Sequence, residues 1–312
     1  MSSTSSTSST TDTSSTHPNP FNQSVIEEFR ANEGRVGGPF EGGDLLLLTT
    51  TGAKSGKRTT NPLGYVRHGE HLMVVASAAG ADRHPAWYHN LLARPTVTVE
   101  IGTEEYEAVA VPAEGARRDE LFAHIVAAEP GYGDYQRGTS RILPVVLLER
   151  ADHFPESGPV EVRTLADKIV EIHTWLRGQL AHVTKEAAAH FAARQEPGAP
   201  TLPGLGLQIR QHCLAFCETL DFHHRSEDAG VFPGILRHHP ELADVLARMS
   251  EEHREMARLK GELVALLADH TNADPVRFMA ELDRMSRELT AHLDHEEKWL
   301  LPILADVPMP GR

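Results

Sequence analysis

Apolar positions follow two different rhythms along this chain, and the change falls close to residue 152. Before it, they come in short β-branched or Leu-rich runs at 45–51, 72–77, 97–101, 106–111 and 142–148, which predict strands. Turn chemistry at Gly52, Ser55-Gly56, His68-Gly69 and Gly102 separates them, and only 85–94 and 114–128 have a helical pattern. A mainly antiparallel sheet or small barrel follows, rather than a parallel βαβ array. After the turn-rich stretch 152–159 the period becomes that of helices and stays so to Leu304. Breaks at 197–206, 238–240 and 271–275 divide this half into four segments of about twenty to thirty residues, as in an antiparallel four-helix bundle. The expected organisation is an α+β two-domain chain: a Ser/Thr-rich disordered tail (1–18), a barrel domain (19–151), a linker (152–161), an all-α bundle (162–304) and a short tail (305–312).

Helical phase brings out candidate chemistry in the second half, where twelve of the nineteen histidines lie. In the first helical segment Leu165, Ile169, His173, Leu176 and Leu180 recur every three or four residues, so His173 sits on the stripe that faces the core. The second segment gives Phe216, Leu220, His223 and Glu227. The third gives Leu242, Leu246, Met249, His253 and Met256, and the fourth Met285, Leu289, His292 and Glu296. One histidine on an apolar face is most often a satisfied core residue. Four of them, with two carboxylates that are costly to bury unless paired or metal-bound, point to ions held between the helices. His-x-x-x-Glu places both side chains on one face, one turn apart. The local sequence repeats as well, with Val231-Phe232-Pro233 after one such pair and Leu300-Leu301-Pro302 after the other. Nitrogen and oxygen donors with positions left open suit two iron ions, or manganese, better than structural zinc. The other bundle histidines, including His182, His224, His238, His239 and His295, fall off the stripes and read as solvated or supporting; His212 has the phase of His223 but lies three turns away.

The order His173, His223 with Glu227, His253, His292 with Glu296 resembles the hemerythrin-like cation-binding family across about 162–304. It is similar to the four-histidine, two-glutamate branch, in which a di-iron centre meets O2, NO or peroxide. Oxygen-carrying members have a fifth histidine one turn after the third-segment ligand, where this chain has Ala257. The chain has no Glu-x-x-His, so the ferritin-like plan does not apply.

In the first half, Gly52-Ala53-Lys54-Ser55-Gly56-Lys57-Arg58 puts three cations and a hydroxyl on one turn, without the spacing of a P-loop. With Thr60 to Tyr65, Val74 to Ser77, His84-Pro85-Ala86-Trp87-Tyr88-His89-Asn90-Leu91 and Pro130 to Tyr135, it resembles the deazaflavin-dependent nitroreductase family over most of 20–150. That resemblance implies a split β-barrel and coenzyme F420, whose reduced form gives hydride to quinones or nitro compounds. It also implies that Lys54, Ser55, Lys57 and Arg58 hold the coenzyme's phosphate and glutamyl tail, that Pro62, Ser77 and Trp87 line its ring and chain, and that Tyr65, Tyr132 and Tyr135 face substrate. The family usually has an arginine where this chain has Thr59, and often a lysine where it has Ala78, so flavin mononucleotide stands as the second cofactor choice.

Composition adds mostly exclusions. A net charge of −14 offers no basic excess for nucleic acid. No apolar run reaches membrane-spanning length and the first residues are not a secretion signal, so a cytoplasmic location is expected. Cys213 and Cys217 are too few for a disulfide framework and read as buried thiols. The combined expectation is an oxidoreductase with a hydride-transfer barrel fused to a di-iron module, its assembly open to a homo-oligomer. The alternatives are a non-enzymatic oxygen or iron sensing or storage protein, and a flavin-dependent reductase feeding the metal centre.

Overall fold

A computed structural model describes residues 20–151, 162–193, 206–268 and 274–308 of the chain. The Ser/Thr-rich tail expected at 1–18 and the linker expected at 152–161 lie outside the described residues. Six antiparallel strands, β1 (Leu45–Thr51), β2 (Arg58–His68), β3 (His71–Val75), β4 (Thr96–Ile101), β5 (Glu104–Pro112) and β6 (Val145–Arg150), close into a barrel in the order β1-β2-β3-β6-β5-β4. In β1, Leu46 and Leu48 point into the barrel, while Leu45 and Leu47 pack outward beneath α1 (Pro20–Ala31). In β3, Leu72 and Val74 point in and Met73 and Val75 lie under α3 (Gly115–Ala128). Burial on both faces explains why these strands read as unbroken apolar runs.

β2 is absent from the strand pattern because Asn61, Pro62 and Gly64 break its alternation. Pro62 pairs with Leu47 of β1, whereas β3 joins β2 only from Tyr65 onward, so the missing proline N–H faces an edge. Two further helices lie on the barrel side: α2 (Ala86–Ala93), whose Trp87 and Leu91 enter the interior cluster, and α4 (Gly131–Arg137).

The second half holds four long helices, α5 (Leu165–Ala193), α6 (Leu207–Ser226), α8 (Ala243–Ala268) and α9 (Pro275–Leu304), with the short α7 (Phe232–His238) between α6 and α8. α5 packs on α6 and α9, and α8 packs on the same two, around a shared core that includes Leu176, Phe216, Leu259 and Leu289. A π-helical turn, Glu227–Val231, joins α6 to α7. α9 starts sharply because Pro275 follows Asp274, whose carboxylate accepts from the Val276 and Arg277 N–H groups.

α6 is buried on two sides, since it also lies against the barrel. Its Ala215 meets Val109 and Val111 of β5. Its first turn is capped from the barrel side by Glu114, which accepts from Leu207 N at 2.6 Å. Fully buried Gln211 donates through Nε2 to Leu91 O at 2.8 Å and Ala110 O at 3.1 Å. Both carbonyls lack their usual donor for one reason. Pro95 stands four residues after Leu91 and opposite Ala110, whose own N–H donates to Pro95 O, and proline has no N–H to offer either of them.

Candidate functional site

The six phase-selected residues converge between the four long helices, none more than 4% exposed. Glu296 Oε2 lies 3.3 Å from His173 Nε2 and 3.7 Å from His223 Nε2, while its Oε1 lies 2.9 Å from His253 Nε2 and 3.2 Å from His292 Nε2. Each oxygen of one carboxylate therefore faces its own pair of imidazoles. Glu227 Oε2 spans the gap on another side, 3.4 Å from His223 Nε2 and 3.6 Å from His253 Nε2.

Outer carboxylates hydrogen-bond two of the rings, and a third carboxylate lies beside another. His173 Nδ1 contacts Glu297 Oε1 at 2.9 Å, His292 Nδ1 contacts Glu252 Oε2 at 3.0 Å, and His253 Nδ1 lies 3.1 Å from Asp228 Oδ1. These partners orient Nε2 inward and leave it free to bind a cation, the arrangement that metal-ligating histidines commonly have. Arg177 donates to Glu297 at 2.6 Å, and Ser250 donates to Asp228 at 2.6 Å, so the outer layer is itself fixed. Glu252, Asp228 and Glu297 were not singled out from the pattern, although each is the immediate neighbour of a selected ligand: His253, Glu227 and Glu296.

Electrostatics sets the two carboxylates apart. Burial, then the nearby Glu296 carboxylate, pushes Glu227 well above the usual carboxylate range. Burial also opposes ionisation of Glu296, but the four imidazoles around it outweigh burial and hold that group well below the usual range. Both oxygens of Glu227, Glu296 Oε2 and His292 Nε2 have no hydrogen-bond partner. A buried unsatisfied polar atom costs about 1–3 kcal/mol, and more when charged. Cations between the helices would remove this cost and replace the proton on Glu227, so the residues present fit a pair of metal ions. His173, His223, Glu227 and Glu296 have ligand atoms within 4.8 Å of one another, and so do His224, His253 and His292.

In the barrel, residues 52–57 form the β1–β2 turn. Gly52 N–H donates to Lys57 O at 2.8 Å and Gly56 N–H to Gly52 O at 2.9 Å, with Gly56 at φ +66°. A side chain at position 52 would run into Ser55 Oγ. Asn90 of α2 braces the turn, accepting from Ala53 N and donating to Thr50 Oγ1. Lys54 and Lys57 are exposed and make no ion pair among the described residues, while Arg58 donates to Thr98 Oγ1 at 2.7 Å. Unpaired cations on a braced turn are a fit surface for an anionic tail. Pro62 and Ser77 are half-buried, and Trp87 is buried in the barrel's interior cluster.

The three tyrosines do not form one group. Tyr132 and Tyr135 of α4 stack edge to face at 6.1 Å, with the Tyr132 hydroxyl 3.5 Å from Gly64 O. Tyr65 packs instead toward the barrel's interior cluster, with the Arg67 guanidinium over its ring. Burial, then the charges of Glu129 and Tyr135, push the Tyr132 phenol up, so it keeps its proton at neutral pH.

Arg141 went unnoticed in the sequence. It donates to Ala76 O, Ser77 O and Ala81 O and meets His84 Nδ1 at 3.0 Å. It thereby clamps a loop in which Ala78, Ala79 and Gly80 all have positive φ. Two alanines in that region store strain that the surroundings must hold in place.

Residues 22–150 match the family model described as F420H(2)-dependent quinone reductase. A reductase of that name from Mycobacterium tuberculosis is 38% identical over 126 residues, which cover 39% of this chain and 85% of the relative. The chain belongs to the F420H2-dependent quinone reductase family. A solved F420H2-dependent reductase is 40% identical and covers 34% of this chain and 94% of its own, with a TM-score of 0.32. The helical half lies outside that likeness. Residues 164–304 match the model of the hemerythrin HHE cation binding domain. No helix among the described residues is long and apolar enough to cross a membrane.

Proposed function

We propose that the barrel binds F420H2 and passes hydride to a quinone-class acceptor, and that the helical half holds two iron ions where O2, NO or peroxide can bind. The reductase half of this reading rests chiefly on the exposed, braced cations of the 52–58 turn in a member of this family. Lys54, Ser55, Lys57 and Arg58 would hold the coenzyme's anionic tail, with Pro62, Ser77 and Trp87 along its chain and ring. When bound, the reduced coenzyme supplies a hydride. Tyr132, protonated at neutral pH, can donate a hydrogen bond to an acceptor oxygen on which charge develops. Tyr135 beside it, and Tyr65 on β2, would also face the acceptor.

The metal half rests on one observation: Glu296 presents its two oxygens to two separate pairs of imidazoles. Glu296 and Glu227 would bridge the two ions, with His173 and His223 on one and His253 and His292 on the other. Iron is favoured by the mixed nitrogen and oxygen donor set. The anaerobic test is oxidation of F420H2 by a soluble quinone, followed by the coenzyme's absorbance. Turnover supports the reductase; binding without turnover would instead support a sensing or storage protein with a cofactor-holding barrel.

A further inference from the structure

We infer that His224 is a seventh protein ligand of this centre, binding the ion held by His253 and His292 and making the two ions chemically unequal. The inference rests on the metal reading above and goes beyond it, because His224 lies one residue after His223, a rotation that the helical stripe excludes. α8 covers that face of α6. His224 is 6% exposed, and its Nε2 is buried without a hydrogen-bond partner. The ring stacks on His253, with centroids 4.1 Å apart and an interplanar angle of 10°, and meets His292 edge-on at 5.0 Å.

The ligand atoms of these three histidines lie within 4.8 Å of one another. Two metal–nitrogen bonds of ~2.1 Å allow separations up to ~4.2 Å, so small side-chain shifts would bring all three onto one ion. An imidazole buried among three others, with no hydrogen-bond partner for its Nε2, is costly unless a cation binds that nitrogen. The opposite ion has no third histidine: His173 and His223 share it with the two carboxylates. One ion would thus have three imidazoles and the other two. Ala257, with no bulk beyond its Cβ, lines the cleft beside His224 and His253 and leaves the ring room to turn.

The test uses full-length protein loaded with iron, comparing wild type, His224→Ala, His224→Gln and the exposed control His238→Ala. Metal is measured per chain after a graded chelator challenge, and Mössbauer spectra report each iron. In the wild type, two iron ions per chain with unequal spectra are expected. Loss of supporting partners around a metal weakens binding about 10- to 100-fold, so loss of a ligand should weaken one ion by at least about 100-fold. His224→Ala should therefore keep one ion and lose the other, with added imidazole restoring it, while His238→Ala matches the wild type. Circular dichroism of the metal-free His224→Ala protein should keep the helical signal of the metal-free wild type, since His224 Nε2 has no hydrogen bond to lose. If it fails to fold, His224→Gln gives the same readout. Two ions retained in both His224 variants with unchanged spectra would overturn this inference and leave the metal centre standing. A folded wild type that takes up no metal would overturn both.

Discussion

Replacing Gln211 by Leu should loosen the union of barrel and helices far more than its surface chemistry suggests. The Gln211 side-chain amide is the donor to two carbonyls, Leu91 O and Ala110 O, that Pro95 leaves without a backbone partner. Leucine is close in size, so the change mainly removes hydrogen bonds. Each orphaned buried acceptor costs about 1–3 kcal/mol, giving roughly 2–6 kcal/mol for the pair. The 3.0 Å contact from Arg210 to Gln211 Oε1 is lost too, but Arg210 keeps its 2.7 Å bond to Leu92 O. Chemical denaturation followed by far-UV circular dichroism measures the effect, with Gln208→Ala, a half-buried neighbour bonded to Arg117, as the control. The control should stay within about 0.5 kcal/mol. A Gln211→Leu protein that unfolds within about 0.5 kcal/mol of wild type would refute the idea that one amide substitutes for a missing proline donor.

Substituting Glu296 by Ala removes the group that faces all four imidazoles, and should abolish iron retention while F420H2 oxidation by a quinone persists; loss of both would mean that the halves act together. Lys54→Ala and Lys57→Ala should each raise the KM for F420H2 by about 3- to 10-fold, with little change in kcat, and less so at high salt because the contacts are exposed. His84 has its pKa lowered, by burial first and then by Arg141 and His89, so it favours the neutral form in the folded protein. Its contact with Arg141 is present above the ordinary histidine pKa of about 6.5 and is lost as pH falls through the lower folded value. Backbone NMR shifts of Ala78 to Ala81 should therefore move as pH falls below the ordinary histidine range, and Arg141→Ala should produce the same shifts at neutral pH.

Most of the fold was legible because its rule is repeated. Strands covered on both faces gave apolar runs, and each long helix carried one imidazole on its buried stripe. β2 was hidden because Pro62 and Gly64, which suit an edge and the close approach of Tyr132, also erase strand alternation. The seven-residue α4 offers too few turns for a clear period. The metal centre was legible only in its inner part. Asp228, Glu252 and Glu297 look like solvated charges from the sequence, since nothing local says that each reaches a histidine on another helix. His224 was read as solvated or supporting because a stripe describes one face, whereas α6 is enclosed by α5, α8 and the barrel. The same enclosure buries Cys213 and Cys217, and raises Cys217 to about 12, consistent with unreactive thiols. Gln211 could not have been anticipated, as its task is set by a proline in the other half of the chain.

The most direct measurement is metal content by mass spectrometry of the purified full-length protein, prepared without chelators and read beside its circular dichroism. Two iron ions per folded chain are expected. A helical, well-folded chain with no transition metal, even after exposure to ferrous iron under anaerobic conditions, would contradict a cation site among His173, His223, Glu227, His253, His292 and Glu296.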